Sequence, residues 1–336
     1  MKKALILLNM GGPNNLSEVE VFLKNMFNDP FILGVKSDFW RSVLAAIIVK
    51  SRAAAARSNY EKLGGRSPIC SITEALCERV NELARAKFGA GLKFENAADA
   101  GAANESPQDI SLQSKPLQDV PTQGEPPQDE KPIDELICDY AMNYTPPFAE
   151  DVFKKYADFD EIILMPLYPH FSKTTVQSSL CSAEAALKRL GIKNYKIIDI
   201  FYDSAAYNEI LLNLIASCVA KFSADEISQI SLIFSAHSLP VKMIAAGDPY
   251  EAQVKAHVKI LKDLLVARGI KFKEIILAYQ SRLGPVKWLE PNIADVLRDL
   301  QSKKALIFPI AFCVDNSETD FELDIFYRAR ALELGY

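Results

Sequence analysis

Residues 230–309 read ISLIFSAHSLPVKMIAAGDPYEAQVKAHVKILKDLLVARGIKFKEIILAYQSRLGPVKWLEPNIADVLRDLQSKKALIFP. Three short apolar runs, Ile230–Ser235, Glu274–Tyr279 and Lys304–Pro309, stand between stretches of helical period at Pro249–Arg268 and Ile293–Leu300. Apolar runs without polar alternation belong to strands covered on both faces, and strands separated by helices join in parallel. The same alternation recurs outward from this stretch. Upstream, Glu161–Pro166 and Lys196–Phe201 flank a helix at Val176–Leu190, and Ala205–Phe222 follows as another. Ala4–Leu8 reads as the first strand, with helices at Glu18–Met26, Ser42–Tyr60 and Ile72–Ala86, and a last helix at Glu318–Leu334. The pattern predicts an α/β protein of two similar units, each a parallel sheet flanked by helices.

The chain has 336 residues, 49% hydrophobic and 24% charged, with a formal net charge of −5. That length suits two domains, and the apolar content excludes disorder throughout. The basic residues form no stripe in an acidic chain, which argues against nucleic-acid binding. The start, MKKALILLNMGG, has two lysines and a short apolar run, yet it reads as a buried strand entering a glycine turn rather than a signal peptide. No apolar stretch reaches the roughly 18–20 residues that span a bilayer. The cysteines, Cys70, Cys77, Cys138, Cys181, Cys218 and Cys313, are scattered without a CxxC, as expected of reduced thiols in a cytosolic protein.

One segment stands outside the pattern. Asn96–Ile133 holds six of the 18 prolines, no aromatic residue and glutamines at 108, 113, 118, 123 and 128. Its seven acidic residues against Lys115 and Lys131 account for the whole net charge of −5. Such a composition does not repay the entropy of ordering, and it reads as a solvated insertion.

Ligands of open α/β sheets bind beyond the carboxyl ends of the strands. Three such ends carry chemistry. Asn9-Met10-Gly11-Gly12-Pro13 permits a tight turn or close approach to a flat ligand but is not a GxGxxG nucleotide motif. His237, in Ser235-Ala236-His237-Ser238-Leu239-Pro240, is the foremost candidate for proton transfer or metal contact, and no GxSxG elbow accompanies Ser238. At Asp315–Glu322, Glu318 and Glu322 share a helix face, where they serve as N-terminal dipole partners or as weak ligands for a divalent metal. His170, after the strand ending at Pro166, either lines a cleft or is structural, and His257 lies beside an apolar helical stripe as a structural or surface residue.

Six ordered stretches carry a resemblance: LLNMGGPNNLSEVEVFLKNMFNDP (7–30), NYEKLGGRSP (59–68), MPLYPHFSKTTVQSSL (165–180), FSAHSLPVKMIAAGDPY (234–250), YQSRLGPVKWLEPNIADVL (279–297) and DNSETDFELDIFY (315–327). Over nearly all of its length outside Asn96–Ile133, the sequence resembles the ferrochelatases, lyases of haem and porphyrin biosynthesis that insert iron into protoporphyrin. The resemblance implies two Rossmann-like halves around a central cleft. Residues 1–198, interrupted by 96–133, would form the first half, completed by a helix at 318–336; residues 199–317 would form the second.

It also implies roles. His237 matches the catalytic histidine, and Glu318 its partner carboxylate; both are candidate metal contacts. Glu322 and Asp315 match the surrounding acidic relay. Met10 matches a residue beside the porphyrin face, Arg52 an arginine near the propionates, and Tyr144 a pocket tyrosine. Asn143, Asn316 and His170 depart from the family pattern, standing where arginine, histidine and glutamine are common.

The implied substrates are protoporphyrin IX and Fe²⁺, with no fixed cofactor. The cysteine cluster that holds [2Fe–2S] in some relatives is not in this sequence. Two pyrrole protons must leave as iron enters, and distortion of the flat macrocycle exposes its nitrogen lone pairs. His237, neutral near pH 7, is the expected acceptor. The apolar and basic residues of 31–57 read as a peripheral membrane contact at the inner membrane face or as a core helix. A monomer is expected. The alternatives are a chelatase for another tetrapyrrole such as coproporphyrin III, and a non-catalytic tetrapyrrole- or haem-binding protein on the same fold.

Overall fold

The computed structural model describes residues 1–88, 133–282 and 284–336. The glutamine-rich segment 96–133 thus lies, apart from its last residue, outside the described residues.

Two parallel sheets organise the chain. The first contains β1 (Lys2–Asn9), β2 (Glu135–Met142), β3 (Glu161–Pro166) and β4 (Tyr195–Ile197) in the order β2-β1-β3-β4. The second contains β5 (Ser231–His237), β6 (Glu274–Gln280) and β7 (Ala305–Pro309) in the order β6-β5-β7. Every pairing is parallel. Twelve α-helices appear among the described residues: α1 (Val19–Asn28), α2 (Pro30–Leu33), α3 (Asp38–Lys62), α4 (Ile69–Phe88), α5 (Ala149–Lys154), α6 (Ser178–Leu190), α7 (Ala205–Val219), α8 (Ala224–Ile227), α9 (Val241–Ala245), α10 (Tyr250–Ala267), α11 (Ile293–Asp299) and α12 (Arg328–Glu333). Lys173–Gln177 and Glu318–Tyr327 are π-helical.

Alternation along the strands builds a core on each face. Ala4, Ile6 and Leu8 pack with Val152 and Phe153 of α5 and Ala183 and Leu187 of α6. Leu7 turns to the other face, against Ile69, Cys70 and Cys77 of α4. In the second sheet Leu232 and Phe234 pack against α7 and α10, while Ile233 and Ala278 meet α11.

Two expectations differ from the structure, and one strand is not foreseen. The expected strand Lys196–Phe201 stops at Ile197, because Phe201 and Tyr202 leave the sheet and donate their N–H groups to the Pro169 carbonyl. β2 escapes a reading for apolar runs, since Asp139 and Tyr140 interrupt its apolar residues and it sits at the sheet edge. The C-terminal helix at 318–336 was expected to complete the first half. Its apolar residues Leu323, Tyr327, Ala331 and Leu334 instead pack with Ile233, Ala278, Ile293 and Leu297 of the second half. The Tyr336 hydroxyl donates to the Leu297 carbonyl at 2.8 Å. Burial of that stripe decides its place.

Candidate active site

His237 is the last residue of β5 and lies beside Gln280, the last of β6. Its Nδ1 lies 2.7 Å from the Ser238 carbonyl, which can only accept, so this nitrogen carries a proton. Nε2 is thereby left to face Glu318 Oε1 at 3.3 Å. Burial opposes charge on the imidazole. Glu318, with Glu322 and the Ser238 carbonyl, outweighs it and raises His237 from 6.5 to about 9. The structure corrects the expectation of a neutral histidine: near pH 7 a proton is held between His237 and Glu318.

The π-helical segment is anchored at its start by Asn316. This residue is buried, and its Oδ1 accepts the Glu318 N–H at 2.7 Å while its own N–H donates to Thr319 Oγ1 at 2.9 Å. Asn316, one residue ahead of the N-cap Ser317, thereby fixes the backbone of Glu318 through its side-chain turn. Glu322 accepts from the Ser281 N–H at 2.8 Å, from the Ser281 hydroxyl and from Gln280 Nε2 at 3.2 Å. Gln280 Nε2 also donates to the Glu318 carbonyl at 3.1 Å. Burial chiefly lifts Glu322 above the usual carboxylate range, and Glu318 adds to this against the Ser281 donors and His237. Ser281 adopts a φ of 66°, sparsely used by residues other than glycine. Asp315 is exposed and makes no hydrogen bond among the described residues, so it does not join the pair. Gln280 and Ser281 are not singled out in the sequence, although their place at the carboxyl end of β6, beside β5, is the signal that marks them.

In the first half, Gly11 has a φ of 81°, and a Cβ there would collide with Thr145 and lie 2.9 Å from Met142. The glycine turn thus serves close packing of backbone. Met10 beyond it is half-buried between two core clusters. Tyr144, expected as a pocket residue, is buried, with its hydroxyl donating to Asp29 Oδ2 at 2.7 Å. Ser178 donates to the same carboxylate and accepts from Asn143 Nδ2 at 2.8 Å. Tyr144 is therefore turned inward by Asp29, and Asn143 is tied to the same network through Ser178. His170, also expected in the pocket, is 2% exposed and sealed against Tyr202, Tyr250 and His257. His257 proves fully buried as well.

Arg52 lies half-buried on α3 with no hydrogen bond or ion pair among the described residues. The end of α3 meets the π-helical segment and its flank: Tyr60 donates to Ser317 Oγ at 3.3 Å, and Lys62 lies 5.6 Å from the Phe321 ring centroid. No group of three or more His, Cys, Asp or Glu converges to hold a metal among the described residues.

The site thus pairs an imidazole with a carboxylate at a strand end and backs them with a second carboxylate, while Arg52 lies on the helix whose last turn meets Ser317 and Phe321. Comparison with known proteins agrees with the motifs. The ferrochelatase family model matches residues 2–106 and 122–336. A ferrochelatase from Campylobacter fetus is 51% identical over 329 residues, covering 98% of this chain and 89% of the relative. Those from Campylobacter concisus and Sulfurimonas denitrificans are 45% and 40% identical, each covering 100% of this chain and 90% and 91% of their own. The chain belongs to the ferrochelatase family.

Proposed function

We propose a division of labour for the reaction that family membership brings, insertion of Fe²⁺ into protoporphyrin IX to give haem and two protons. Residues 1–198 form the half that holds the macrocycle, and 199–336 the half that takes its protons. Iron is a substrate, not a resident cofactor. The observation that carries the reading is the contact of His237 Nε2 with Glu318 Oε1 at 3.3 Å, backed by Glu322.

Proton removal then runs outward. His237 gives its Nε2 proton to Glu318 and becomes free to accept one from a pyrrole nitrogen. Glu322, lifted by burial, is the next acceptor, and its three donors from Gln280 and Ser281 stabilise it once it is ionised again. Incoming Fe²⁺ favours the same direction, because a cation near the pair lowers its affinity for protons. Arg52, without a hydrogen bond or ion pair among the described residues, is suited to a propionate, and Met10 offers an apolar edge to the ring.

The test is anaerobic Fe²⁺ insertion followed by absorbance, with protoporphyrin and coproporphyrin side by side and His237→Ala in parallel. Multiple turnovers of protoporphyrin, lost in the variant, support the reading. Preference for coproporphyrin would reassign the substrate, and tight binding without turnover would leave a tetrapyrrole carrier.

We also propose that α3 makes a peripheral contact with the inner face of the membrane. Phe39, Trp40 and Ile47 are 67%, 63% and 62% exposed, with Lys50 and Arg52 on the same helix. Apolar side chains flanked by cations suit an anionic lipid surface. No described helix is long and apolar enough to cross a membrane.

A further inference from the structure

The loop after β3 makes an unusual set of polar contacts. The Phe171 N–H donates to Gln253 Oε1 at 2.7 Å. The Ser172 hydroxyl and the Lys173 N–H donate to Asp248 Oδ2 at 3.1 and 2.9 Å. His170 Nε2 lies 2.9 Å from His257 Nδ1. Residues 170–173 belong to the first half and 248–257 to the second. Tyr250, Gln253 and His257 are spaced by three and four on α10 and so share one face.

The hydrogen-bond pattern fixes which atom donates in each pair. Asn208 Nδ2 donates to the carbonyls of Tyr202 and Ser204 at 2.8 and 2.9 Å, which leaves its Oδ1 as an acceptor. His257 Nε2, 3.0 Å from that oxygen, is therefore the donor, and His257 Nδ1 accepts from His170 Nε2. His170 Nδ1 is buried and has no hydrogen-bond partner among the described residues. Both rings are neutral in this chain, and protonating His257 would set two donors face to face. Burial accordingly holds His257 down at about 4, and His170 well below its ordinary value.

We propose that this seam is a positioning device that sets the separation between the macrocycle-holding half and the strand end carrying His237. The inference rests on the division of labour above. An apolar seam tolerates sliding, whereas buried directional bonds do so only by leaving polar groups unpaired. Each side of the seam leads to the site. Residue 173 opens the π-helical turn into α6, whose Ser178 braces Asn143 and Tyr144 behind the glycine turn. Asp248 also accepts the Tyr250 N–H at 3.1 Å, joining the seam to the start of α10 and the loop from His237.

Two native cysteines make the test direct: Cys181 on α6 and Cys218 on α7 are exposed, one in each half. Nitroxides attached there, with half-buried Cys313→Ser, report the inter-half distance by pulsed electron paramagnetic resonance. His257→Phe keeps a ring and removes both nitrogens, while Gln253→Leu is a milder variant at a half-buried position. In each, the distance distribution is expected to broaden. The kcat per porphyrin-binding molecule should fall, by up to ~10²-fold for His257→Phe, since a misplacement of about 1 Å can cost that much. Protoporphyrin Kd from fluorescence quenching should stay within about twofold, because the binding half is intact. An unchanged distance distribution, or an unchanged kcat per binding-competent molecule, overturns the proposal. Failure of the wild type to turn over protoporphyrin would instead overturn the active-site reading, with the distance measurement still deciding the seam.

Discussion

His237 shows how a neighbour can reverse the effect of burial. Alone, a buried imidazole loses its proton more readily; beside Glu318 it keeps one up to about pH 9. The folded chain therefore binds a proton between pH 6.5 and about 9 that the unfolded chain releases. Its contribution to stability is fully present below 6.5 and is lost as pH rises through about 9. Glu318→Gln is expected to bring the imidazole pKa down toward or below 6.5, as measured from ring carbon shifts by NMR; a value still near 9 would show that Glu318 is not the cause. His237→Ala is expected to lower kcat by about 10²–10⁴-fold, the usual worth of a positioned base. Protoporphyrin quenching should survive the change, since Met10 and Arg52, the residues proposed to hold the ring, lie on other elements.

α3 and α4 contrast sharply as elements. Over Asp38–Lys62, α3 fully buries Ala45 and Tyr60 and packs Ile48 and Val49 partly against the same cluster, while Phe39, Trp40 and Ile47 stay exposed. Trp40→Glu and Ile47→Glu are each expected to weaken co-sedimentation with anionic vesicles by about tenfold, and retained binding in both would remove α3 from the membrane contact. α4 buries a full stripe, and its Asn81 closes the edge of the first sheet. Asn81 Oδ1 accepts the Cys138 N–H at 2.7 Å and Nδ2 donates to the Cys138 carbonyl at 2.8 Å. An edge strand otherwise presents such groups unpaired. Asn81→Ala is expected to cost about 1–3 kcal/mol in urea unfolding. Its kcat should equal that of the parent, because α4 contributes nothing to the His237 pair.

At the scale of the whole molecule, the seam is expected to make stability acid-sensitive. His257 has its pKa depressed to about 4, so the unfolded chain binds a proton that the folded chain refuses. Stability is undiminished above 6.5 and falls as pH drops from 6.5 toward about 4. Urea midpoints measured between pH 7 and 4.5 are expected to fall less steeply for His257→Gln than for the parent. Parallel slopes would show that other groups, the buried carboxylates among them, carry the acid response.

The alternation of apolar runs with helical periods was enough to place β1, β3, β5, β6 and β7, because strands covered on both faces must be apolar throughout. His237 was legible for the same reason: a polar ring directly after such a run has to leave the core at the ligand-binding edge. Glu318 and Glu322 were legible as a pair on one face, though capping explained them equally well. The tertiary structure alone decided what each polar group meets. His170 and Tyr144 look like pocket residues in a linear reading, yet Asp29 and His257, brought from 115 and 87 residues away, turn them inward. Asn316 reads only as a departure from the family pattern until the structure shows its Oδ1 accepting the Glu318 N–H. Periodicity is a local property and survives in the sequence, whereas hydrogen-bond partners and proton affinities depend on distances that exist only once the two halves have packed together.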